Sequence, residues 1–263
     1  KKARMHLILD FLWFAVFATY CYIEALVKCF IPVKRKSVAG EIVLVTGAAS
    51  GIGRLIAFEF AKQRSRLVLW DINKVKKDVG DVTILVNNAG VAVTADLLST
   101  QDKQIQKIYD VNILAHFWTI KAFLPAMMKN NHGHIVSVAS FGGLVSTPFL
   151  VSYCSSKFAN LGLHKGFTKE LSTLGKDGIK TTCLCPCFIS TPLVENPRSR
   201  IIPVLKPEAV AKRLMDGILC NQKQIIMPSP LAMFSLVEII LPERALVAFE
   251  KIVTFTLDMT KQE

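Results

Sequence analysis

Glu41-Ile42-Val43-Leu44-Val45-Thr46-Gly47-Ala48-Ala49-Ser50-Gly51-Ile52-Gly53 decides the fold. Its first half is a short apolar, β-branched run, the pattern of a buried strand. Its second half is glycine-rich and passes into Arg54 to Lys62, which reads as a helix. Glycines at 47, 51 and 53 let the backbone turn tightly and approach a pyrophosphate, which the free N–H groups and dipole of a helix N-terminus then stabilise. A plain turn is the bland alternative, but strand, loop and helix in this order favour a nucleotide site.

Working outward, Arg66-Leu67-Val68-Leu69-Trp70 is the next strand and ends in Asp71, eighteen positions after Gly53. A carboxylate there accepts hydrogen bonds from both ribose hydroxyls of an adenosine and repels a 2′-phosphate, so NAD is expected over NADP. A turn residue at a strand end is the alternative for Asp71. Val82 to Val86 is a further buried strand, and it ends in Asn87-Asn88-Ala89-Gly90, whose small residues let a nicotinamide lie close to the backbone.

Tyr153-Cys154-Ser155-Ser156-Lys157 carries the chemistry, with Ser140 thirteen positions upstream of the tyrosine. Tyr153 and Lys157 fall one helical turn apart on one face, so the ammonium is expected to stabilise the phenolate and lower the phenol pKa, making the tyrosine an acid/base group.

Together these residues resemble the short-chain dehydrogenase/reductase family: Thr46-Gly47-x-x-x-Gly51-x-Gly53, Asn87-Asn88-Ala89-Gly90, Asn112, Ser140 and Tyr153-x-x-x-Lys157. Stretches such as LVLWDINK, VNILAHFWTIKAFLPAM and YCSSKFA look like its lipid-droplet 17β-hydroxysteroid dehydrogenases, types eleven and thirteen. The resemblance implies a three-layer α/β fold, a Rossmann-type doubly wound parallel sheet. It also implies hydride transfer between NAD and a lipophilic secondary alcohol or ketone of the steroid or retinoid class. Tyr153 would be the acid/base and Ser140 the hydroxyl that orients the substrate oxygen. Lys157 would partner the tyrosine and bind the nicotinamide ribose, and Asn112 would support a water-linked proton path. Gly47, Ser50, Gly51, Ile52, Gly53, Asp71, Asn88, Ala89 and Gly90 would hold the dinucleotide, joined by Tyr153 and Lys157. Pro186, Ile189 and Thr191 would contact its carboxamide end, in a loop where Cys187 replaces the usual glycine. Asn112 as a packing amide and Ser140 as a strand-end hydroxyl are the bland readings.

One departure stands against this pattern. Only the ten residues Ile72 to Asp81 separate Asp71 from the strand at Val82. A parallel crossover needs a dozen or more residues, and the family's helix, edge strand and second helix do not fit. Lys74 to Asp81 reads as the last turns of a helix, the sheet is expected to lack one edge strand, and no position matches the acidic residue that helps hold the adenine. A catalytically impaired surface protein that keeps the motifs is the alternative reading.

The chain of 263 residues is 51% hydrophobic with a net charge of +12, enough for a substantial core and too apolar for disorder. Residues 1–36 are expected to form a membrane or lipid-droplet anchor and residues 37–263 the dehydrogenase domain. Leu7 to Ile31 is the most apolar stretch, but Asp10, Glu24 and Lys28 interrupt it, so it falls short of an unbroken span. No small-residue cleavage site precedes Lys34-Arg35-Lys36, which argues against a signal peptide. A monotopic or hairpin anchor fits better, with the basic cluster at anionic headgroups. The resemblance implies the endoplasmic reticulum membrane and lipid droplets and a cytosolic catalytic domain; a homodimer is one oligomer reading, and a scaffold that pairs with a full-length relative through the helices carrying Asn112 and Tyr153, the surface the family uses for dimers, is a weaker alternative. Scattered lysines and arginines without a basic stripe exclude a nucleic-acid partner.

Seven cysteines with no Cys-x-x-Cys pair exclude a zinc site and a disulfide scaffold. Cys183, Cys185 and Cys187 alternate along a strand and are expected on one face. His132 and His134 read as turn residues. Glu195 to Pro207 reads as a substrate lid in loop form, and residues 222–263 as an apolar tail that packs on the domain or touches lipid.

Overall fold

The computed structural model describes residues 2–28, 30–31, 33–70, 80–194, 198–199, 201–234, 237, 240–253 and 255–256. The chain divides into two compact units, Lys1–Lys36 and Ser37–Glu263.

The first unit is dominated by helix α1 (Lys2–Lys28). Twenty-seven residues at 1.5 Å each make it about 40 Å long. From Leu9 to Lys28 it is long and apolar enough to cross a membrane, and none of that stretch is buried. Two of the three charges that break the apolar run neutralise each other, since Lys28 Nζ lies 2.5 Å from Glu24 Oε1 one turn away. Asp102–Asn130 meets the same criterion of length and composition, but it packs on the sheet of the second unit and is a core segment.

In the second unit the strands are β1 (Ile42–Thr46), β2 (Arg66–Trp70), β3 (Ile84–Asn87), β4 (Gly133–Val138), β5 (Ile179–Pro186), β6 (Arg198–Ser199), β7 (Gln224–Met227) and β8 (Phe255–Thr256). The helices are α2 (Gly51–Lys62), α3 (Asp102–Tyr109), α4 (Ala115–Asn130), α5 (Val151–Thr173), α6 (Pro207–Leu219) and α7 (Glu243–Val253). Six strands form one parallel sheet in the order β2-β1-β3-β4-β5-β7. β6 and β8 make a separate antiparallel pair.

Both faces of the sheet are covered, which is why its central strands read as continuous apolar runs. Val43, Val45, Ile84 and Val86 meet Phe60 of α2 and Leu214 and Ile218 of α6 on one face. Leu44, Leu85 and Ile135 meet Ile120 and Met127 of α4 and Leu171 of α5 on the other. β2 differs: only Val68 is buried, while Leu69 is 57% exposed, as an edge strand allows.

The sheet therefore has β2 as its edge, with no strand beyond it among the described residues, in line with the short interval after Asp71. Register explains how the short connection closes. Thr46 faces Trp70 and Val43 faces Ile84, so the start of β3 lies about 10 Å along and about 10 Å across from the end of β2. Ten extended residues reach roughly 33 Å, ample for that gap. Asp71, and the helical turns expected from Lys74 to Asp81 as far as Val79, lie outside the described residues, while Gly80 and Asp81, which are described, are not helical.

Three expectations are corrected. Residues 224–227 are not tail: they form β7, which pairs with Cys183 to Pro186 and makes the other edge of the sheet. His134 is not a turn residue, because it sits fully buried in β4 with Nε2 2.8 Å from Thr182 Oγ1. In the lid stretch, Arg198–Ser199 is a strand and Pro207 opens α6, where a missing N–H costs nothing. Glu195, Asn196, Pro197 and Arg200 of that stretch lie outside the described residues.

Candidate active site

Three glycines and an asparagine lock the loop after β1. Gly47 has φ +64°, and a β-carbon on it would meet Ala89 Cα at 2.9 Å. At Gly53 a β-carbon would lie 2.2 Å from Gly47 O and 2.4 Å from Asn88 Nδ2. That asparagine is what holds the turn: Nδ2 donates to Thr46 O (2.9 Å) and Gly47 O (3.2 Å). Thr46 Oγ1 returns the contact by accepting from Asn88 N and Ala89 N at 3.0 and 3.1 Å. Gly51, also at positive φ, opens α2, and the Ser50 side chain makes no capping bond to the first turn. With Ser50, Ile52 and Gly53 lining the cleft, this uncapped N-terminus is a cradle suited to a pyrophosphate.

Asn112 is fully buried in a π-helical turn, Asp110–Leu114, between α3 and α4. Such turns shift side chains out of helical register. Here the amide is turned toward the loop after β3, where it exchanges two 2.9 Å bonds with the Val91 backbone and donates to Ser156 Oγ at 3.0 Å. Gly90 sits beside it, since a β-carbon there would be 3.5 Å from both Asn112 Oδ1 and Lys157 Nζ.

Ser140 follows β4 and caps a short 3-10 turn, Phe141–Gly143, its Oγ accepting from Gly142 N at 3.0 Å. α5 brings Tyr153 and Lys157 to the same floor, both more than nine-tenths buried. Lys157 Nζ donates to Val138 O at 3.0 Å and lies 5.7 Å from the Tyr153 ring centroid. Burial holds the lysine down, to about 8. The expected depression of the phenol is not found. Burial pushes the Tyr153 hydroxyl up to about 12, and the hydrogen bond with Ser140 offsets that only in part. The reason is solvation: a phenolate in this dry floor loses its water, and a lysine bonded to a carbonyl does not compensate.

Pro186 at the end of β5, and Ile189 and Thr191 after it, line the same cleft as Ser140, Tyr153 and Lys157. Cys187 N donates to Met227 O at 2.7 Å, and Ile189 bridges Leu205. Positive φ at non-glycine residues is confined, among the described residues, to Arg64, Asn131, Phe149 and Asn221, so Cys187 stands without strain in its loop. Its thiol is pushed up to about 11 by burial, which leaves it unreactive. Cys183 and Cys185 share one face of β5 with Sγ atoms 3.8 Å apart, whereas Cys187 packs in a different cluster with Phe141 and Phe234.

The described residues among these border one cleft of about 770 Å³ or support its walls. Trp70, which precedes Asp71, lines it too. Ser140, Tyr153 and Lys157 share its lining with Phe141, Leu150, Cys154 and Phe188, an apolar setting with a few polar groups. No group of residues able to hold a metal ion occurs among the described residues. Sequence reasoning missed His116 and Asn160, both buried at this floor. A signal was available, because His116 lies four residues after Asn112 and Asn160 three after Lys157, each on the same helical face.

Comparison with known proteins adds three findings. The short chain dehydrogenase family profile matches residues 71–201. The chain is 51% identical over 290 positions to the human (Homo sapiens) estradiol 17-beta-dehydrogenase 11, covering 97% of each. It is 50% identical over 277 positions to human 17-beta-hydroxysteroid dehydrogenase 13, covering 92% of each. The 290 aligned positions outnumber the 263 residues of this chain, so that relative carries residues without a counterpart here. In fold, the chain is similar to a short chain dehydrogenase/reductase from Burkholderia phymatum solved in complex with NAD. The TM-score is 0.68 at 22% identity, covering 87% of this chain and 99% of that one.

Proposed function

The chain belongs to the short-chain dehydrogenase family, and from that premise we propose that it transfers a hydride between NAD and a lipophilic secondary alcohol or ketone. A steroid or retinoid is the substrate class, and α1 serves as the anchor to a membrane or lipid-droplet surface, with the dehydrogenase domain in the cytosol. The observation that carries this reading is that Ser140, Tyr153 and Lys157 line one cleft together with the Gly47–Gly53 cradle.

A bound nicotinamide supplies the hydride acceptor or donor. Ser140 Oγ orients the substrate oxygen, and the Tyr153 hydroxyl exchanges a proton with it. In the protein as folded the phenol is neutral, which is the form needed to protonate a ketone oxygen. Alcohol oxidation requires the phenol first to lose that proton, so positive charge brought close to it is essential in that direction. Lys157, whose head group donates to Val138 O, would bind the nicotinamide ribose. Asn112 holds the Gly90–Val91 backbone at the cleft through its paired bonds. The aliphatic and aromatic wall excludes water and favours an apolar substrate.

A second reading, an impaired surface protein that retains the motifs, is favoured by one observation: β2 is a sheet edge on the adenosine side of the cleft. Calorimetric titration of the folded protein with NAD and with NADP separates the two. The first reading expects saturable heat with NAD and alcohol-dependent NADH production. Absence of heat with both cofactors in a folded sample removes the enzyme reading.

A further inference from the structure

β2 ends the six-stranded sheet, and its outer side pairs with no strand among the described residues. Two bonds fix which of its backbone groups face β1: Arg66 N donates to Glu41 O, and Trp70 O accepts from Gly47 N, both at 2.8 Å. Backbone directions alternate along a strand, so Arg66, Val68 and Trp70 turn their N–H and C=O groups to β1, in the parallel register that runs from Ile42↔Arg66 to Thr46↔Trp70. Leu67 and Leu69 turn theirs outward. Neither has a backbone bond to a loop or turn among the described residues. Side chains alternate as well. Val68 packs with Leu44 on one face, which Arg66 and Trp70 share, and Leu67 packs on the cluster containing Val43 on the other, which Leu69 shares.

Natural edges are blunted by lysine, proline or a bulge. β2 carries no lysine or proline and keeps an unbroken register, and its Leu69 is 57% and its Trp70 36% exposed. It is also complementary to itself. In an antiparallel pair of two such edges centred on Val68, Leu67 of one copy lies opposite Leu69 of the other and exchanges two N–H···O=C bonds with it. All four outward groups of each strand are then satisfied, and any other centre leaves Leu67 or Leu69 without that partner. One face sets Leu67 against Leu69. The other sets the Arg66 guanidinium against the Trp70 indole in a non-hydrogen-bonded pair, the closer spacing, which suits a cation–π contact. Within one copy, among the described residues, Arg66 has no ion pair and Trp70 no ring contact, so both are open to a partner. We infer that a second copy of this chain docks on β2, joining two sheets into one about a two-fold axis beside Val68. The contact closes on itself, so it stops at two copies rather than growing into a fibre. It is separate from the helices carrying Asn112 and Tyr153, and it lays Arg66 of the second copy on Trp70, which lines the cleft. It does not depend on turnover.

Register-specific cross-linking of the full-length protein in nonionic detergent tests the pairing. Arg66→Cys and Trp70→Cys variants, mixed and mildly oxidised, are expected to give a disulfide-linked species of twice the chain mass above the wild-type background, since opposed β-carbons lie about 4.5–5.5 Å apart. Either variant alone is expected to give none, because its two copies stand four positions apart along the pair, roughly 13 Å. No product on mixing, or equal product from one variant alone, overturns the inference. In sedimentation at about 100 µM, Leu69→Pro, which removes an outward N–H and spares every bond to β1, is expected to halve the mass of the assembly. Should that variant not fold, Leu69→Lys replaces it, and an unchanged mass overturns the inference. If the edge takes another protein's strand instead, the purified variants give no mixed disulfide and the inference falls.

Discussion

Acidification strains this fold through two histidines, and the size of the effect follows from their burial. His116 is 2% exposed and held down to about 3, and His164 is 6% exposed and held down to about 4, in both cases chiefly because burial disfavours the imidazolium. Their ordinary value is 6.5. The unfolded chain therefore binds a proton on each as pH falls through 6.5, while the native state binds none until about 3 to 4. Because the unfolded state holds more protons in that window, stability falls with falling pH. Between pH 7.5 and 5.5 each histidine costs about 1.4 kcal/mol, so the pair removes about 3 kcal/mol from a total of order 5–15. Urea unfolding of the full-length protein in mild detergent at the two pH values measures it. His116→Gln and His164→Gln are each expected to reduce the wild-type pH dependence by about 1.4 kcal/mol. Two variants that both keep the full wild-type dependence, to within about 0.3 kcal/mol, would refute the burial argument.

Four further outcomes are expected. Gly53→Ala drives a β-carbon into Gly47 O and Asn88 Nδ2, so it is expected to destabilise by about 2–3 kcal/mol in denaturant unfolding and to abolish NAD binding by calorimetry. Tyr153→Phe is expected to lower kcat by about a thousandfold while calorimetry still detects NAD, since only the proton carrier is lost. The Lys157 value of about 8, below its ordinary 10.5, means the cost of burying its charge is present below pH 8. Denaturant unfolding is expected to show that cost relieved between pH 8 and 10.5, worth about 3 kcal/mol, and Lys157→Met to remove that rise. Deleting residues 1–36 is expected to move the protein from the membrane fraction to the soluble fraction on centrifugation, with the fold of Ser37–Glu263 retained by circular dichroism.

The alternative that keeps the motifs without turnover depends on the β2 edge. The connection after Trp70 has the reach to close, and on that edge Leu69 is 57% and Trp70 36% exposed, with Trp70 also lining the cleft. NAD affinity is thus the quantity on which the two readings divide. It can be measured without knowing the substrate.

The sequence by itself determined what local geometry governs. Glycines 47, 51 and 53 between a strand and a helix, and a tyrosine one helical turn before a lysine, carry their meaning in backbone dihedrals and helical pitch, which act over a few residues. That β2 ends the sheet among the described residues was also legible, because a count of residues limits how far a chain can reach. Only the tertiary structure decided the rest. Residues 224–227 became a strand through pairing with β5, and an isolated four-residue run holds too little periodicity to announce that. The direction of the Tyr153 shift was decided by burial, which a short pattern does not contain, so burial rather than the neighbouring lysine set it. Asn160 and His116 are forty-four residues apart and meet because α4 and α5 pack on the same face of the sheet. Whether a buried amide finds a partner depends on that packing, and so the pair belongs to the fold rather than to any segment of the chain.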